Sequence, residues 1–380
     1  MQNTVNRPIF IVGSPRSGTS VLTWCLAQHP NIFPVDESTG IGELAIALAV
    51  CYQTKVGLGP ESLWSMLNVQ KEEFFAGFGQ TINELIQRHK VDLERKWWEQ
   101  TFAPNRPPHD FVAARATNIT KTRWVDGTPG YSFHICGLRK LFPNALFIHI
   151  VRDVASVVRS MLNFHRLAGV HLVANEQEAY NLWFASVSAC VLAEQAYGPQ
   201  VIFRLRYSDL VDKPEASLQA VLGFLSEPFV AECQAPLLKR INSSNVPADF
   251  KLGKPGTDPQ VVERATRLNA ELETTLQLSE ISPIALEKME ATFTAQADYR
   301  VALPDQYARA HNEFAKAHAR AQRLANEVKR KRATIRRLRP RPWHHKLRRL
   351  LFGHKSTALL SCAVYFADVL DFVDWFSVTM

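Results

Sequence analysis

The chain has 380 residues, 46% of them hydrophobic, which is enough to bury a sizeable core. Its six cysteines lie far apart with no C-x-x-C pair, a pattern that excludes a disulfide framework or a cysteine zinc site and favours a reduced, intracellular protein. No apolar run is long and uncharged enough to span a bilayer, and the first predicted strand begins by Pro8, which leaves no room ahead of it for a signal peptide. We therefore expect a cytoplasmic protein.

The net charge of +8 is concentrated in one segment. Residues 329–355 carry twelve Lys and Arg and no Asp or Glu, so the rest of the chain has a net charge of about −4. This basic tail contains no folded nucleic-acid-binding module, and nucleic acid is not an expected partner. The tail favours peripheral contact with an anionic membrane, or it is simply solvated.

The segment from Pro8 to Ser20, PIFIVGSPRSGTS, carries the strongest functional signal. The apolar run Ile9 to Val12 predicts a strand, Gly13 begins a loop, and an apolar helical pattern follows. Such a loop leaves backbone N–H groups at a helix start, where they and the helix dipole bind phosphate. The spacing is close to G-x-x-x-x-G-K-[ST], but Thr19 takes the lysine position and the cation is Arg16. An ordinary strand-to-helix turn is the alternative interpretation.

Two adjacent carboxylates, Asp36 and Glu37, follow the first predicted helix, which spans Ser20 to His29. A short extended run joins them to it, so one of the two could deprotonate an acceptor at the mouth of the loop. An equally good interpretation is that they solvate a turn or favour a helix N-terminus. Residues 40–106 then read as a mostly helical, aromatic-rich region without a catalytic motif.

Two further strands are predicted in the middle of the chain. Arg123 to Asp126 is one, and Ala145 to Val151 is a continuous apolar run typical of a strand buried on both faces of a parallel sheet. Arg152 follows the second strand, and Ser156 and Ser160 lie at four-residue intervals after it. A guanidinium and two hydroxyls on one face at a strand's carboxyl end favour a second phosphate site.

The later part of the compact region alternates helix and strand again. Asn175 to Tyr197 predicts a long helix, Val201 to Arg206 a strand that is followed by Tyr207, and residues 242–259 a long loop. Helices are expected near 260–279 and 283–297. Strands that alternate with helices predict an α/β fold, a parallel β-sheet flanked by helices.

From residue 305 to 338 the pattern becomes a heptad repeat. Its two seam positions are occupied by Tyr307, Phe314, Ala321, Val328 and Ile335, and by Ala310, Ala317, Leu324, Lys331 and Leu338. The repeat predicts either a short coiled coil, and hence a homodimer, or a long helix along the core. We therefore expect three regions: a domain over 1–300, a heptad-like helix over 305–339, and a basic, then apolar, tail over 340–380.

Three motifs together resemble the sulfotransferases that use 3′-phosphoadenosine 5′-phosphosulfate (PAPS). GSPRSGTS is similar to their 5′-phosphosulfate loop, IVRDVASVVRSM to their 3′-phosphate segment, and RYSDLV to a tyrosine-containing segment near the adenosine. The resemblance covers residues 8 to about 254 and implies a sulfotransferase fold like that of P-loop NTPases. It has some likeness to the tyrosylprotein and carbohydrate branches.

The resemblance also implies roles for individual residues. Arg16 would hold the 5′-phosphate and the bridging oxygen, and Glu37 would be the general base. The other implied cofactor-binding residues are Ser14, Pro15, Ser17, Gly18, Thr19 and Ser20 in the loop, Arg152 and Ser160 at the 3′-phosphate, Tyr207 beside the nucleotide, and Ser243 or Ser244 with Lys251 or Lys254 closing over it.

One departure from the family concerns Gly127. Many members have Lys-Thr-Pro where this chain has Gly127-Thr128-Pro129, so a lysine that contacts the sulfonate is missing, and Lys121 or Arg123 is a candidate replacement.

The resemblance predicts transfer of a sulfonate from PAPS to an acceptor hydroxyl, with release of PAP and without a metal. A saccharide or glycolipid is the preferred acceptor, followed by a small phenolic or lipid metabolite and then a protein tyrosine. The alternative activity is that of a P-loop nucleotide kinase, although the usual lysine is replaced by Thr19.

Overall fold

A computed structural model of the chain describes residues 7–38, 40–101, 121–238, 244–253, 255–275 and 280–338. Residues up to Leu303 form one compact unit, and the chain from Pro304 onward forms a second. The predicted site residues Ser243 and Lys254 lie outside the described residues, as does the predicted tail over 340–380. Within the described ranges, no helix has the length and apolarity needed to cross a membrane.

Five parallel strands form one sheet in the order β2-β3-β1-β4-β5. Their bounds are Ile9–Val12 (β1), Ile32–Pro34 (β2), Arg123–Asp126 (β3), Leu146–Val151 (β4) and Ile202–Arg206 (β5). The predicted α/β fold with a parallel sheet is confirmed. The strands begin and end within one residue of the predicted bounds, and the short extended run after the first helix contains β2.

The central strands are buried on both faces because helices cover both sides of the sheet. Along β1, Phe10 and Val12 point into one apolar cluster, whereas Ile9 and Ile11 point into another. This alternation has the period of two that a strand imposes.

The helices divide between the two faces and the connections. Their bounds are Thr19–Ala27 (α1), Gly40–Val56 (α2), Leu63–Met66 (α3), Lys71–Arg88 (α4), Lys90–Thr101 (α5), Ile135–Leu141 (α6), Val154–Leu162 (α7), His165–Ala168 (α8), Glu176–Tyr197 (α9), Tyr207–Asp212 (α10), Pro214–Leu225 (α11), Pro259–Thr274 (α12) and Pro283–Leu338 (α13). Residues of α2, α4, α6 and the start of α13 join the cluster that contains Phe10, and residues of α1 and α11 join the other.

The last helix differs from the sequence-based expectation. Separate helical segments were expected over 283–297 and from 305, but α13 is one helix that includes Pro304. A proline inside a helix removes one backbone hydrogen bond. The Ala-, Arg-, Lys- and Glu-rich residues on either side of it are strong helix formers and offset that loss.

The connectivity places a crevice at the carboxyl end of the sheet. The strand β1 lies between β3 and β4 and pairs in parallel with both. The chain therefore leaves β1 and β4 toward different sides, which opens the sheet edge where α/β proteins bind ligands.

Candidate active site

A cavity of about 920 Å³ lies at this edge of the sheet. Of the residues predicted for the site, its walls include Pro15, Arg16, Gly18, Thr19, Ser20, Glu37, Arg152, Ser160, Tyr207 and Ser244. The structure thus brings together segments that are more than 200 residues apart in the sequence. Two other predicted residues, Ser14 and Ser17, are buried in the loop behind the cavity wall.

The loop after β1 needs glycine at two positions. Gly13 has φ 151°, and a Cβ there would lie 2.5 Å from the carbonyl oxygen of Ile150. Gly18 has φ 108°, and a Cβ there would lie 2.5 Å from a ring carbon of Tyr207. Both positions combine a left-handed backbone with a close neighbour, so any side chain would displace the loop.

The loop is suited to an anion. The helix α1 begins at Thr19, its N-cap residue Gly18 provides no side-chain cap, and the N–H groups and dipole of a helix start favour an anion. The hydroxyl of Ser17 is buried and has no hydrogen-bond partner among the described residues. Ser132 fixes the start of the loop, because its Oγ accepts from Gly13 N and donates to Gly13 O, each at 2.9 Å.

Arg16 is the centre of a polar cluster on one side of the cavity. Its Nε donates to Ser160 Oγ at 3.1 Å, its Nη2 donates to Ser244 Oγ at 3.2 Å, and the two hydroxyl oxygens lie 2.9 Å apart. The guanidinium also lies over the ring of Phe164, 5.1 Å from its centroid. The backbone of Arg16 has φ 71°, an uncommon conformation for a residue other than glycine, which costs on the order of 1 kcal/mol.

A second cation lies next to this cluster. The guanidinium carbon of Arg152 is 4.4 Å from the centroid of the Tyr207 ring, and its Nη1 donates to the Arg16 carbonyl oxygen at 3.4 Å. Burial lowers the pKa of Arg16, Arg152 lowers it further, and Glu37 opposes both effects. Two guanidinium groups held this close favour an anion between them. The cation predicted for the 5′-phosphate and the residues predicted for the 3′-phosphate therefore form one cluster.

Glu37 lies on the opposite side of the loop. Its Oε1 accepts a hydrogen bond of 3.1 Å from Ser20 Oγ in the first turn of α1. Surrounding protein atoms desolvate the carboxylate and raise its pKa, and Asp36 adds to this, whereas Ser20 and Arg16 lower it. The Asp36 carboxylate instead accepts from the Glu37 N–H at 3.0 Å. The Glu37 side chain is therefore the one of this pair that lines the cavity.

A buried carboxylate supports the segment that carries Glu37. Asp126, at the carboxyl end of β3, is 1% exposed, and its Oδ1 accepts from Thr128 N at 2.9 Å and from Thr128 Oγ1 at 2.5 Å. Thr128 Oγ1 in turn accepts from Ser38 N at 2.8 Å. Burial raises the pKa of Asp126 to about 7, with a smaller contribution from Glu37, against the lowering effect of Thr128.

The structure explains why glycine occupies position 127. A Cβ on Gly127 would collide with the hydroxyl oxygen of Thr23 in α1. The suggested replacements for a lysine here do not reach the cavity. Lys121 and Arg123 lie at the amino end of β3, where they pair with Glu94 at 2.6 Å and Glu227 at 3.0 Å. The idea that either residue takes the lysine's place is therefore wrong.

Several residues that line the cavity were not selected from the sequence. They include Ser38, Arg159, Phe164, Leu167, Leu172, Val246 and Pro247. Arg159 lies one position before Ser160, and its Nη2 donates to the carbonyl oxygen of Phe250 at 3.1 Å. The helical spacing after Arg152 includes neither Arg159 nor the apolar residues, so only the folded chain reveals them. Within the described ranges, no group of three His, Cys, Asp or Glu side chains is arranged to hold a metal ion.

The loop after β1, the paired guanidinium groups and the carboxylate thus meet at one cavity, an arrangement suited to a transferase. The family model described as "Sulfotransferase family" matches residues 8–231, and the chain belongs to that family.

Curated relatives carry the same assignment. The omega-hydroxy-beta-dihydromenaquinone-9 sulfotransferase Stf3 of Mycobacterium bovis is 27% identical over 284 residues, with 64% of this chain and 68% of that protein covered. Protein-tyrosine sulfotransferase A of Caenorhabditis elegans is 25% identical over 242 residues, with 63% and 55% covered. Among solved structures, the sulfotransferase domain from the curacin biosynthetic pathway is 21% identical, with a TM-score of 0.37, and covers 76% of this chain and 98% of its own.

Proposed function

We propose that the protein transfers a sulfonate group from PAPS to a hydroxyl of an acceptor and releases PAP. One observation carries this proposal: the loop after β1 and the first turn of α1 contact a cationic cluster through one residue and a carboxylate through another. Arg16 joins the cluster with Ser160 and Ser244, whereas Ser20, four residues later, holds Glu37. A cation for the donor and a base for the acceptor therefore face one cavity.

The donor would bind along the loop and the cationic side. The N–H groups at the start of α1, the hydroxyl of Ser17 and the guanidinium of Arg16 are suited to the 5′-phosphosulfate. Arg152, Ser160 and Ser244 are suited to the 3′-phosphate, with Arg16 shared between the two ends. Negative charge builds on the oxygen that bridges phosphorus and sulfur as its bond to sulfur breaks, and a fixed cation with backbone donors stabilises it.

The acceptor would be activated from the other side. The acceptor oxygen attacks sulfur, the sulfur–oxygen bond to the phosphate breaks, PAP leaves, and the acceptor proton passes to the Glu37 carboxylate. The raised pKa of Glu37 makes it a better proton acceptor than an ordinary carboxylate. Its hydrogen bond from Ser20 keeps it oriented toward the loop.

The walls of the cavity favour an acceptor with an apolar body. Phe164, Leu167, Leu172, Val246 and Pro247 contribute side chains around the polar centre. A free saccharide would leave these surfaces without apolar contacts, whereas the lipid part of a glycolipid or lipid alcohol would cover them. The mycobacterial relative is named for a hydroxylated quinone, which is also a lipid. We therefore place a glycolipid or lipid alcohol ahead of a free saccharide, presented at the cytoplasmic face of a membrane.

A P-loop kinase is the second candidate. It would use a loop lysine on the transferred phosphate, but Thr19 occupies that position and is buried. The cations of the cavity are instead Arg16, within the loop after β1, and Arg152, directly after β4. A kinase should be stabilised against heat by ATP with magnesium, whereas a sulfotransferase should respond to PAP.

The test combines binding and turnover. PAP should raise the melting temperature, and ATP with magnesium should not. Incubation with labelled PAPS and matched panels of lipid alcohols, glycolipids, free sugars and phenols should give sulfonated product from the first two groups, detected by mass spectrometry. Stabilisation by ATP alone would overturn the donor assignment, and product from free sugars alone would overturn the acceptor class.

A further inference from the structure

The part of α13 in the second unit, from Pro304 onward, exposes an apolar stripe. Phe314 is 70% exposed, Leu324 54% and Val328 49%. Residues 311–334 are all exposed along the helix. Helices in proteins owe most of their stability to packing of one apolar face, so a helix of this length with such a stripe calls for a partner.

The stripe follows the heptad repeat. Phe314, Ala321 and Val328 occupy one seam position, and Ala317, Leu324 and Lys331 occupy the other. Along the chain, the first set runs large, small, large, and the second runs small, large, large. A second copy must pair so that large side chains of one helix meet small side chains of the other.

We propose that two copies of this chain pair through residues 311–334 as an antiparallel coiled coil centred between Gln322 and Arg323. In this register Ala321 faces Leu324 of the partner subunit, and Ala317 faces Val328 of the partner subunit. Each layer then combines a large side chain with a small one, which fills the seam evenly. The inference does not depend on the reaction.

The antiparallel register also separates like charges. Lys331 faces the partner subunit's Phe314, whose ring can accept an ammonium group. In a parallel pair, by contrast, the two Lys331 side chains would face each other within the seam, as would the two Phe314 rings. The basic residues after 328 would also lie side by side at one end of a parallel pair, whereas the antiparallel pair places them at opposite ends.

The flanking charges agree with this arrangement. Arg320 faces Glu327 of the partner subunit on both sides of the centre. Within one helix, Glu327 Oε1 accepts from Lys331 Nζ at 2.7 Å, and both side chains are more than half exposed. Glu327 is therefore accessible to a second cation. In a parallel pair, Arg320 would face Ala325 of the partner subunit and would have no charge opposite it.

A charge swap in the full-length protein tests the orientation. Arg320→Glu should raise the dimer dissociation constant by roughly 3- to 30-fold, because two exposed ion pairs become repulsive. Glu327→Arg should do the same, and the double variant should recover wild-type association. Analytical ultracentrifugation measures each constant. A single change that leaves association unchanged, or a double variant that fails to recover, overturns the antiparallel register.

Distances provide an independent check. A spin label at Asn312 should lie about 30 Å or more along the axis from its copy, since position 333 faces it, whereas labels at Gln322 should be close. A parallel pair gives two short distances, and a monomer gives none; either result overturns the proposal.

Leu324→Asp should abolish association, and the matched control Gln322→Asp, on the outer face, should not. An unchanged melting temperature and far-UV circular dichroism spectrum show that each variant remains folded.

Discussion

The two sides of the cavity are built in different ways. The cationic side combines two local motifs, the loop after β1 and the turn and helix after β4, which the fold brings together so that Arg16 bonds to Ser160, 144 residues later. The acidic side depends on hydrogen bonds between β2 and β3 segments that are about 90 residues apart, from Ser38 to Thr128 and on to Asp126. Both sides are therefore assembled by tertiary contacts, but the groups of the cationic side belong to recognisable local motifs, whereas the hydrogen bonds that support the proposed base belong to none.

The largest expected effect concerns the acidic side. Glu37→Gln keeps the shape of the side chain but removes the proton acceptor, so kcat should fall by about 10²- to 10⁴-fold while PAP affinity changes little. Asp36→Asn is the matched control, because this carboxylate bonds the backbone. Initial rates and calorimetric titration with PAP separate the two effects.

The pH profile sharpens this assignment. A general base must be ionised, so kcat should fall as the pH drops through the pKa of Glu37. Desolvation by neighbouring protein atoms moves this acidic limb of the profile above the ordinary glutamate pKa of about 4.3. A wild-type profile without an acidic limb, or a crippled Asp36→Asn variant, would show that Glu37 is not the base.

The next effect concerns the cationic side. Arg152→Ala should weaken PAP binding by about 1.5–3 kcal/mol, the cost of a lost charged hydrogen bond. Binding of adenosine 5′-phosphosulfate, which lacks the 3′-phosphate, should not change. Arg330→Ala, an exposed arginine on α13, is the control for loss of positive charge. Equal weakening toward both nucleotides would mean that Arg152 does not contact the 3′-phosphate.

A smaller effect on kcat is expected from changes at Thr128, which links the segment carrying Glu37 to Asp126. Thr128→Val preserves volume but removes the hydroxyl that joins Asp126 to Ser38, which should lower kcat by roughly 10-fold and stability by about 1–3 kcal/mol. Thr128→Ser retains the hydroxyl and should recover most of both. PAP affinity should stay constant in all three proteins. If Thr128→Val changes stability but not kcat, the hydrogen-bond chain is structural and does not position Glu37.

The last expected effect is on the pH dependence of stability and not on turnover. The pKa of Asp126 is about 7 in the fold and about 3.9 when unfolded, so the folded state binds the extra proton. The contribution of this proton is complete below pH 4 and is lost as the pH rises through 7. Asp126→Asn should therefore flatten the dependence of the free energy of unfolding on pH over that range, measured by urea denaturation. An unchanged slope would show that Asp126 does not titrate there.

Local sequence patterns predict the strands, the loop after β1 and most residues of the cationic side. Ile9 to Val12 and Ala145 to Val151 are continuous apolar runs, and the glycines of the loop follow from backbone geometry that only glycine adopts easily. These signals are local, because each depends on the spacing of neighbouring residues. The residues alone located the proposed base as one of two adjacent carboxylates, and the family resemblance selected Glu37.

Only the tertiary structure decided how these pieces combine. It joined Arg16 to the residues expected at the other phosphate, it showed that Thr23 fills the space of a side chain at Gly127, and it directed Lys121 to Glu94. It also made α13 continuous through Pro304, where local preference had indicated a break. The contacts of Arg16, Gly127 and Lys121 join distant segments, and the positions of those segments are fixed by strand order and core packing, which leave no periodic trace in the chain. The continuity of α13 instead reflects the strong helix formers on either side of Pro304.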